Sequence, residues 1–313
     1  MYIPLTVDGL ISRLLVVGQR EKWTTGTIWA QARKPRYREI RILKKSSSRN
    51  ILVGDAAGKP RVRILREPSF WLKKIQHYIL SMVLDPAADT LMGCARGCVP
   101  GHSTVTNARP HVGARVKIHM DLKDFFPSVG VRRVYALFHK AFKYDVRLSW
   151  LLANLCCYQD SLPQGAPTSP MLANMVATPM DWGLSRLCRF AGATYTRYVD
   201  DLTFSFKRWV SREYRNGFIA KVTAIAERNG FMVNTEKTSA VTRRRRMSVT
   251  GIVVNDKLST PRDFRANLRA AIHNMEKGIP SADSESAVRG KLSYIRMVSP
   301  QQAQSVLGKI AAQ

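Results

Sequence analysis

The chain has 313 residues, enough for two or three packed sub-domains, and at 45% hydrophobic it can bury real cores. Lysine and arginine number 50 against 22 aspartates and glutamates, a formal charge of +28 that calls for a polyanionic partner. No apolar run reaches membrane-spanning length, so a membrane is not an expected partner. Residues 1–20 lack a basic start and a small-residue cleavage site, so no signal peptide is expected. Five cysteines, an odd number with an adjacent pair at Cys156 and Cys157, do not look like a disulfide framework, and a cytoplasmic location is expected.

In chain order, residues 1–50 read as an irregular N-terminal extension that ends in the polar run Lys44-Lys45-Ser46-Ser47-Ser48-Arg49. Residues 69–84 read as a helix capped by Ser69, with Leu72, Ile75, Ile79, Leu80 and Val83 on one face. Cys94, Cys98 and His102 have a loose metal-ligand spacing without an evident fourth ligand. Residues 115–122 alternate cleanly. Val116, Ile118, Met120 and Leu122 point one way, and Arg115, Lys117, His119 and Asp121 the other. This predicts a strand with one buried face and Asp121 on its polar face, near the end. Residues 131–142 resemble a helix.

A Pro- and Gly-rich loop at 161–170 leads into a helix with Ser169 as cap and Pro170 at its first position. Pro179 should bend or interrupt that helix. Residues 194–206 read as two strands around a tight turn with Asp200 and Asp201 at its tip. A helix over 211–228 ends at Asn229-Gly230, and strands follow near 231–233 and 247–254. From Thr260-Pro261 onward the chain reads as helical, and Phe264, Leu268, Ala271, Ile272 and Met275 form a stripe. Arg262, Arg265, Arg269 and Lys277 lie off that stripe, as a solvated face or as a track for phosphates. The run Arg243 to Arg246 reads the same two ways.

Adjacent carboxylates in a strand point to opposite faces, but at a hairpin turn Asp200 and Asp201 can converge. So close, they repel, and one pKa must rise unless a cation neutralises them. A divalent metal resolves this, and Mg²⁺ prefers a few carboxylates plus phosphate oxygens. Asp121 supplies a third carboxylate, and three can hold two metals about 4 Å apart for in-line phosphoryl transfer. Metal-dependent nucleases satisfy the same logic, so the carboxylates alone leave polymerase and nuclease open.

Longer motifs carry a resemblance. Tyr198-Val199-Asp200-Asp201 looks like the YxDD motif of reverse transcriptases. Asp121-Leu122-Lys123-Asp124-Phe125-Phe126-Pro127-Ser128 is similar to their first catalytic motif, and Leu162-Pro163-Gln164-Gly165-Ala166-Pro167-Thr168-Ser169-Pro170 resembles their LPQGxxxSP motif. The order and spacing are those of the family, over about residues 55–300. Asn107-Ala108-Arg109-Pro110-His111 and Val249-Thr250-Gly251 match the NAxxH and VTG signatures of bacterial retron reverse transcriptases.

The resemblance implies an α+β fold: a right-hand polymerase with fingers, a ferredoxin-like antiparallel palm and a small helical thumb. The domains would be an N-terminal extension (1–50), fingers and palm (51–255) and thumb (256–313). It implies an RNA-directed DNA polymerase that copies a cognate structured non-coding RNA into multicopy single-stranded DNA (msDNA). Priming would come from a guanosine 2′-OH, with dNTP substrates and two Mg²⁺ ions, in a bacterial cytoplasm. An effector protein and a part in anti-phage defence would go with this. By the same matches, Asp121, Asp200, Asp201 and the Leu122 carbonyl hold metal, and Lys237 protonates pyrophosphate. Arg61, Arg63, Asp124, Phe125 and Gln164 bind the nucleotide, with Phe126 as steric gate against a ribose 2′-OH. Asn107, His111, Thr250, Gly251, Arg265 and Arg269 are candidates for nucleic-acid contact. Two further readings stand beside this one: another bacterial reverse transcriptase, of intron or diversity-generating type, and a scaffold that binds RNA–DNA and restrains an effector.

Overall fold

The computed structural model describes residues 5–18, 23–43, 62–279 and 283–308. In chain order the elements begin α1 (Val7–Val17), α2 (Thr25–Arg33), β1 (Tyr37–Leu43), β2 (Val62–Pro68), α3 (Phe70–Ile79) and α4 (Thr104–Ala108). The middle of the chain forms β3 (Val116–Lys123), α5 (Val131–Ala136), α6 (Val146–Cys156), α7 (Ser169–Ala191), β4 (Ala193–Tyr198) and β5 (Asp201–Phe206). There follow α8 (Arg212–Arg228), β6 (Met232–Thr242), β7 (Ser248–Val249), β8 (Ile252–Val253), α9 (Arg262–Glu276), α10 (Glu285–Val298) and α11 (Pro300–Gly308). Every ladder between these strands is antiparallel, as an α+β arrangement requires.

The chain divides into two compact units. One holds Met1–Met92, Asp124–Met180 and Asn229–Phe231; the other holds Gly93–Lys123, Asp181–Arg228 and Met232–Gln313.

In the first unit α6 is the hub. Its Leu148, Leu151, Leu152 and Leu155 are buried, and α1, α2, α3 and α5 pack around it. The expectation of an irregular stretch before residue 50 is overturned. Thr6 caps α1 by accepting from the Gly9 amide at 3.0 Å, and Thr24 and Thr27 form a reciprocal capping box on α2. β1 pairs with β2 from Tyr37 opposite Pro68 to Leu43 opposite Val62. This ribbon is exposed on both faces for most of its length. Ser69 stands at the N-cap of α3, but its hydroxyl makes no capping bond. α3 and α5 each run on into a wider turn, at Leu80–Leu84 and Leu137–Ala141. The long helix α7 passes through Pro179 without a break. Burial of Met175, Ala177, Met180 and Leu184 outweighs the one backbone bond that proline removes.

The second unit is built on a four-stranded sheet in the order β4-β5-β3-β6. On one face Tyr195, Leu202 and Phe204 join Ile118 and Met120 as buried core, and Phe204 and Phe206 meet Phe218 of α8 edge-on, each at 5.3 Å. Alternation turns Lys117, His119, Asp121, Thr203 and Ser205 to the other face. β6 is much longer than the segment near 231–233 that its sequence suggested. Its Asn234-Thr235-Glu236-Lys237-Thr238 stretch is polar because β6 is an edge strand, half in solvent. A register shift between His119 and Asp121 then sets Asp121 opposite Asn234.

The β7–β8 hairpin packs through Val249 and Ile252 into a cluster with Val105, Ala108, Ala114, Met247, Val254 and Val298. α9, α10 and α11 close on a separate cluster: Leu268, Ala271, Val288, Ile295, Ala303 and Val306. The helical ending is as expected. Among the described residues no helix is long and apolar enough to cross a membrane.

Candidate active site

The β4–β5 hairpin closes on Tyr198 opposite Asp201, leaving Val199 and Asp200 as the two turn residues. Val199 has φ +61°, the left-handed region that a hairpin turn usually gives to glycine and that a β-branched side chain resists. Three features hold this strained turn. Arg197 Nη1 donates to the Val199 carbonyl at 3.0 Å, and the Leu122 amide donates to the Asp200 carbonyl at 2.9 Å. The third is the close approach of Gly97, where an added Cβ would sit 2.4 Å from the Val199 nitrogen, so only glycine fits.

Arg197 itself is fully buried. Its Nε and Nη2 donate to the two Asp181 oxygens at 2.9 and 2.6 Å, and the Tyr195 hydroxyl donates to the same carboxylate at 2.8 Å. Burial alone would pull the guanidinium down, but Asp181 outweighs it and holds Arg197 above its ordinary range. Asp181, Arg197 and Gly97 were not singled out from sequence. The available signal was weak: Arg197 shares a strand face with Tyr195, and Asp181 lies one helical turn from Ala177 and Leu184 but also from Thr178 and Ser185.

The turn and register bring the three aspartates to one edge of the sheet. Asp121 of β3 stands opposite Asp201 of β5, and Asp200 is the residue before it. Burial, reinforced by Asp201 and Asp121, pushes the Asp200 carboxyl up to about 6, and burial with Asp121 raises Asp201. Lys237 of β6 donates to both Asp121 oxygens, at 2.9 and 2.8 Å. His119 Nε2 lies 3.6 Å from Asp201, and burial holds that imidazole below its usual value. Among the described residues the aspartates do not form a closed metal-ligand cluster, since Asp121 is turned onto Lys237. In kind, the donors fit a hard divalent cation: all are carboxylate oxygens, and two are destabilised as anions by burial and by the neighbouring carboxylates. Mg²⁺ takes only one or two carboxylates, with water and substrate oxygens completing its shell.

Cys94, Cys98 and His102 do not gather as ligands. Their segment instead pairs with β4: Arg197 donates its amide to the Cys94 carbonyl and Arg96 its amide to the Arg197 carbonyl, both at 2.8 Å. Burial raises the Cys94 thiol to about 11.

The segment from Asn107 to His111 and the turn at Thr250 meet. Thr250 and Gly251 have φ +46° and +82°, the two positive values of a type I′ hairpin, which is why a glycine stands there. The Thr250 hydroxyl donates to the Thr104 carbonyl at 3.1 Å, and Asn107 Nδ2 lies 3.5 Å from it. Lys117 Nζ donates to the Ser248 carbonyl at 2.7 Å, fixing the hairpin to β3. His111 is fully buried, with Nδ1 2.7 Å from the Ser205 hydroxyl and Nε2 2.8 Å from that of Thr196. It is thus a clasp across β4 and β5.

Burial, with Lys117 and Lys207 nearby, pushes His111 down to about 3 from an ordinary 6.5. Between those values the unfolded chain binds a proton that the folded chain refuses. Stability from this group is therefore complete above pH 6.5 and falls as the pH drops toward 3, by on the order of a few kcal/mol. Melting curves from pH 7 to 4 should show a shallower loss in His111→Gln than in wild type. Equal slopes would remove His111 as the cause.

The remaining candidates are distributed as follows. Asp124 (φ +47°) opens a compact turn in the first unit, in which the Ser128 amide donates to the Asp124 carbonyl at 2.8 Å and the Ser128 hydroxyl to that of Phe125. Phe125 is buried against Phe231 at 5.5 Å; Phe126 is half-buried, edge-on to Phe125 at 5.6 Å. The Gln164 carbonyl accepts from the Arg66 amide at 2.7 Å. A Cβ at Gly165 would come within 3.0 Å of the Arg66 carbonyl, so that glycine allows the loop to reach β2. Arg63 is exposed on β2, and Arg61 lies outside the described residues. In α9, Arg265 Nη1 donates to the Thr260 carbonyl and, at 3.1 Å, to Gln302 Oε1, so its guanidinium is engaged within the helical cluster. Arg269 is half-buried beside it.

A family model described as reverse transcriptase (RNA-dependent DNA polymerase) matches residues 42–254. The chain is 35% identical over 280 residues to the Retron Mx162 reverse transcriptase of Myxococcus xanthus, covering 79% of this chain and 57% of that protein. It is 35% identical over 239 residues to the Retron Ec86 reverse transcriptase of Escherichia coli, covering 76% and 72% respectively. To the Retron Mx65 reverse transcriptase of Myxococcus xanthus it is 36% identical over 261 residues, covering 78% and 60%. The chain therefore spans less than two thirds of the Myxococcus relatives' length. It belongs to the reverse transcriptase family of RNA-dependent DNA polymerases, and within that family to the retron enzymes. The family generally uses divalent metal ions.

Proposed function

We propose that the chain copies a cognate structured RNA into DNA joined to that RNA, starting from a guanosine 2′-OH. The observation that carries this is the edge formed by Asp121, Asp200 and Asp201, where burial and mutual repulsion leave two carboxyls short of a counter-charge. Two Mg²⁺ ions held by these aspartates and the Leu122 carbonyl would activate the attacking hydroxyl and steady the developing phosphate charge. Lys237, charge-paired to Asp121, would pass a proton to the leaving pyrophosphate. The second unit would be a ferredoxin-like palm with a helical thumb in α9–α11, and β1–β2 with the first helices would form fingers. Asp124, Phe125, Gln164, Arg63 and Arg61 would hold the dNTP. Asn107, His111, Thr250 and Gly251 would shape the surface that meets nucleic acid, His111 from within. An effector partner, a role in anti-phage defence and a cytoplasmic location belong to the same reading.

The test is to express the chain with its neighbouring non-coding DNA and extract small nucleic acids, beside an Asp200→Asn control. Branched RNA-linked DNA in wild type alone supports a retron polymerase. Its absence from both, with primer extension intact in vitro, moves the chain to another reverse transcriptase lineage. Extension absent as well would sink the polymerase and leave the scaffold.

Phe126 would be the gate against the ribose 2′-OH. Its ring is only half-buried, and Phe125 carries the packing on Phe231. Phe126→Ala should therefore fold, and its preference for dNTP over NTP should fall roughly tenfold or more in single-nucleotide incorporation. Unchanged discrimination would return the ring to a packing role.

A further inference from the structure

Helix α7 carries an aromatic and cationic ridge in solvent. Trp182 is 59% exposed and Phe190 79%. Eight residues separate them, about two turns, so they share a face. Arg186 stands between, its guanidinium 5.6 Å from one ring centroid and 5.9 Å from the other. The ridge continues past the end of α7. Arg208 donates to the Ala191 carbonyl at 3.3 Å and lies 5.1 Å from the Tyr214 ring centroid. Next in sequence is Trp209, 49% exposed, with Arg115 at 5.7 Å from its ring.

Isolated exposed apolar residues are ordinary, but a contiguous run of them marks an interaction surface. The chemistry of this run is particular. Each of these four rings has an arginine close to it, and residues 182–191 and 207–215 hold six lysines and arginines against one carboxylate, Glu213. An apolar protein face would have to strip water from those guanidinium groups without neutralising them. Single-stranded nucleic acid offers both complements: base faces for the rings and phosphates for the arginines. The site of synthesis does not explain the ridge. Asp181 of α7 bonds to Arg197 and Tyr195, which face α7, whereas Asp121 and Asp201 lie on the opposite face of the sheet.

We propose that this ridge is a stacking platform for an unpaired segment of the structured RNA, remote from the segment being copied. The choice of RNA rests on the reading above: before the first nucleotide is added, RNA is the only strand present.

The test uses the full chain, preloaded with an unlabelled RNA–DNA primer-template to fill the site of synthesis. A fluorescent single-stranded RNA oligonucleotide of mixed sequence is then titrated by anisotropy. Trp182→Leu with Phe190→Leu keeps apolar bulk but removes stacking, and should weaken RNA binding roughly tenfold or more. Trp182→Tyr with Phe190→Tyr should restore it. Primer extension should stay within about twofold in both, because neither ring touches the carboxylate edge. Unchanged RNA affinity in the leucine pair would overturn the proposal, as would tighter binding of a single-stranded DNA oligonucleotide of the same sequence than of the RNA. So would self-association of the chain that needs Trp182 and Phe190 while RNA binding does not, which would make the ridge a protein surface. A wild-type chain that neither extends a primer nor binds RNA would instead sink the polymerase reading itself.

Discussion

Asp200→Asn should reduce primer extension by roughly a thousandfold or more, the rate equivalent of about 4 kcal/mol, without destabilising the fold. Asparagine keeps the shape of the side chain and removes its charge. In the folded chain burial and the two neighbouring carboxylates raise Asp200 to about 6, against an ordinary 3.8. The folded protein thus keeps a proton that the unfolded chain has already released. This group's contribution to stability is full below the unfolded value and is lost as the pH rises through about 6. Asp200→Asn should therefore melt at an equal or higher temperature than wild type at pH 8. Mg²⁺ should raise the wild-type melting temperature above pH 6, by binding the folded state alone, and do so much less for the variant. A variant that extends primers would remove Asp200 from the chemistry, and one that melts well below wild type at pH 8 would overturn the destabilisation argued for its buried carboxylate.

Arg197→Met should cost about 3–5 kcal/mol, because it leaves the Asp181 carboxylate buried and without its two strongest bonds. Replacing both partners by apolar residues removes that uncompensated charge. Arg197→Met with Asp181→Leu should be more stable in urea than Arg197→Met alone, a non-additivity expected of a paired network. Activity should not follow stability. Arg197 also donates to the Val199 carbonyl, and no aliphatic side chain can hold that left-handed residue in place. The double variant should regain much of its stability while its kcat stays low with KM for primer-template little changed. If kcat recovers with stability, Arg197 is a fold element and not a positioning residue.

Much of the second unit was legible because its strands obey simple rules. Residues 115–122 alternate, so β3 and the polar side of Asp121 could be read directly. Tyr198-Val199-Asp200-Asp201 lies between two β-forming runs, so a hairpin tip was the natural place for its carboxylates. The motif order pointed to a retron reverse transcriptase, and the comparisons bear that family out. The exposed strand β1 and the polar edge strand β6 were obscured. A strand with a wet face or a free edge does not need the apolar periodicity by which strands are found.

The sequence by itself determined the three candidate carboxylates, the motifs that mark the family, the basic character and the helical ending. These follow from residue type and local spacing. Tertiary structure alone decided what holds those carboxylates. Asp181 reaches Arg197 from sixteen residues away, Lys237 reaches Asp121 from 116, and Gly97 yields its side-chain space to Val199. It also decided that His111 is a buried clasp and that the Cys94 segment pairs with β4. Such pairings depend on which faces a sheet brings together. No spacing along the chain encodes that, because the same residue types serve equally well as solvated charges.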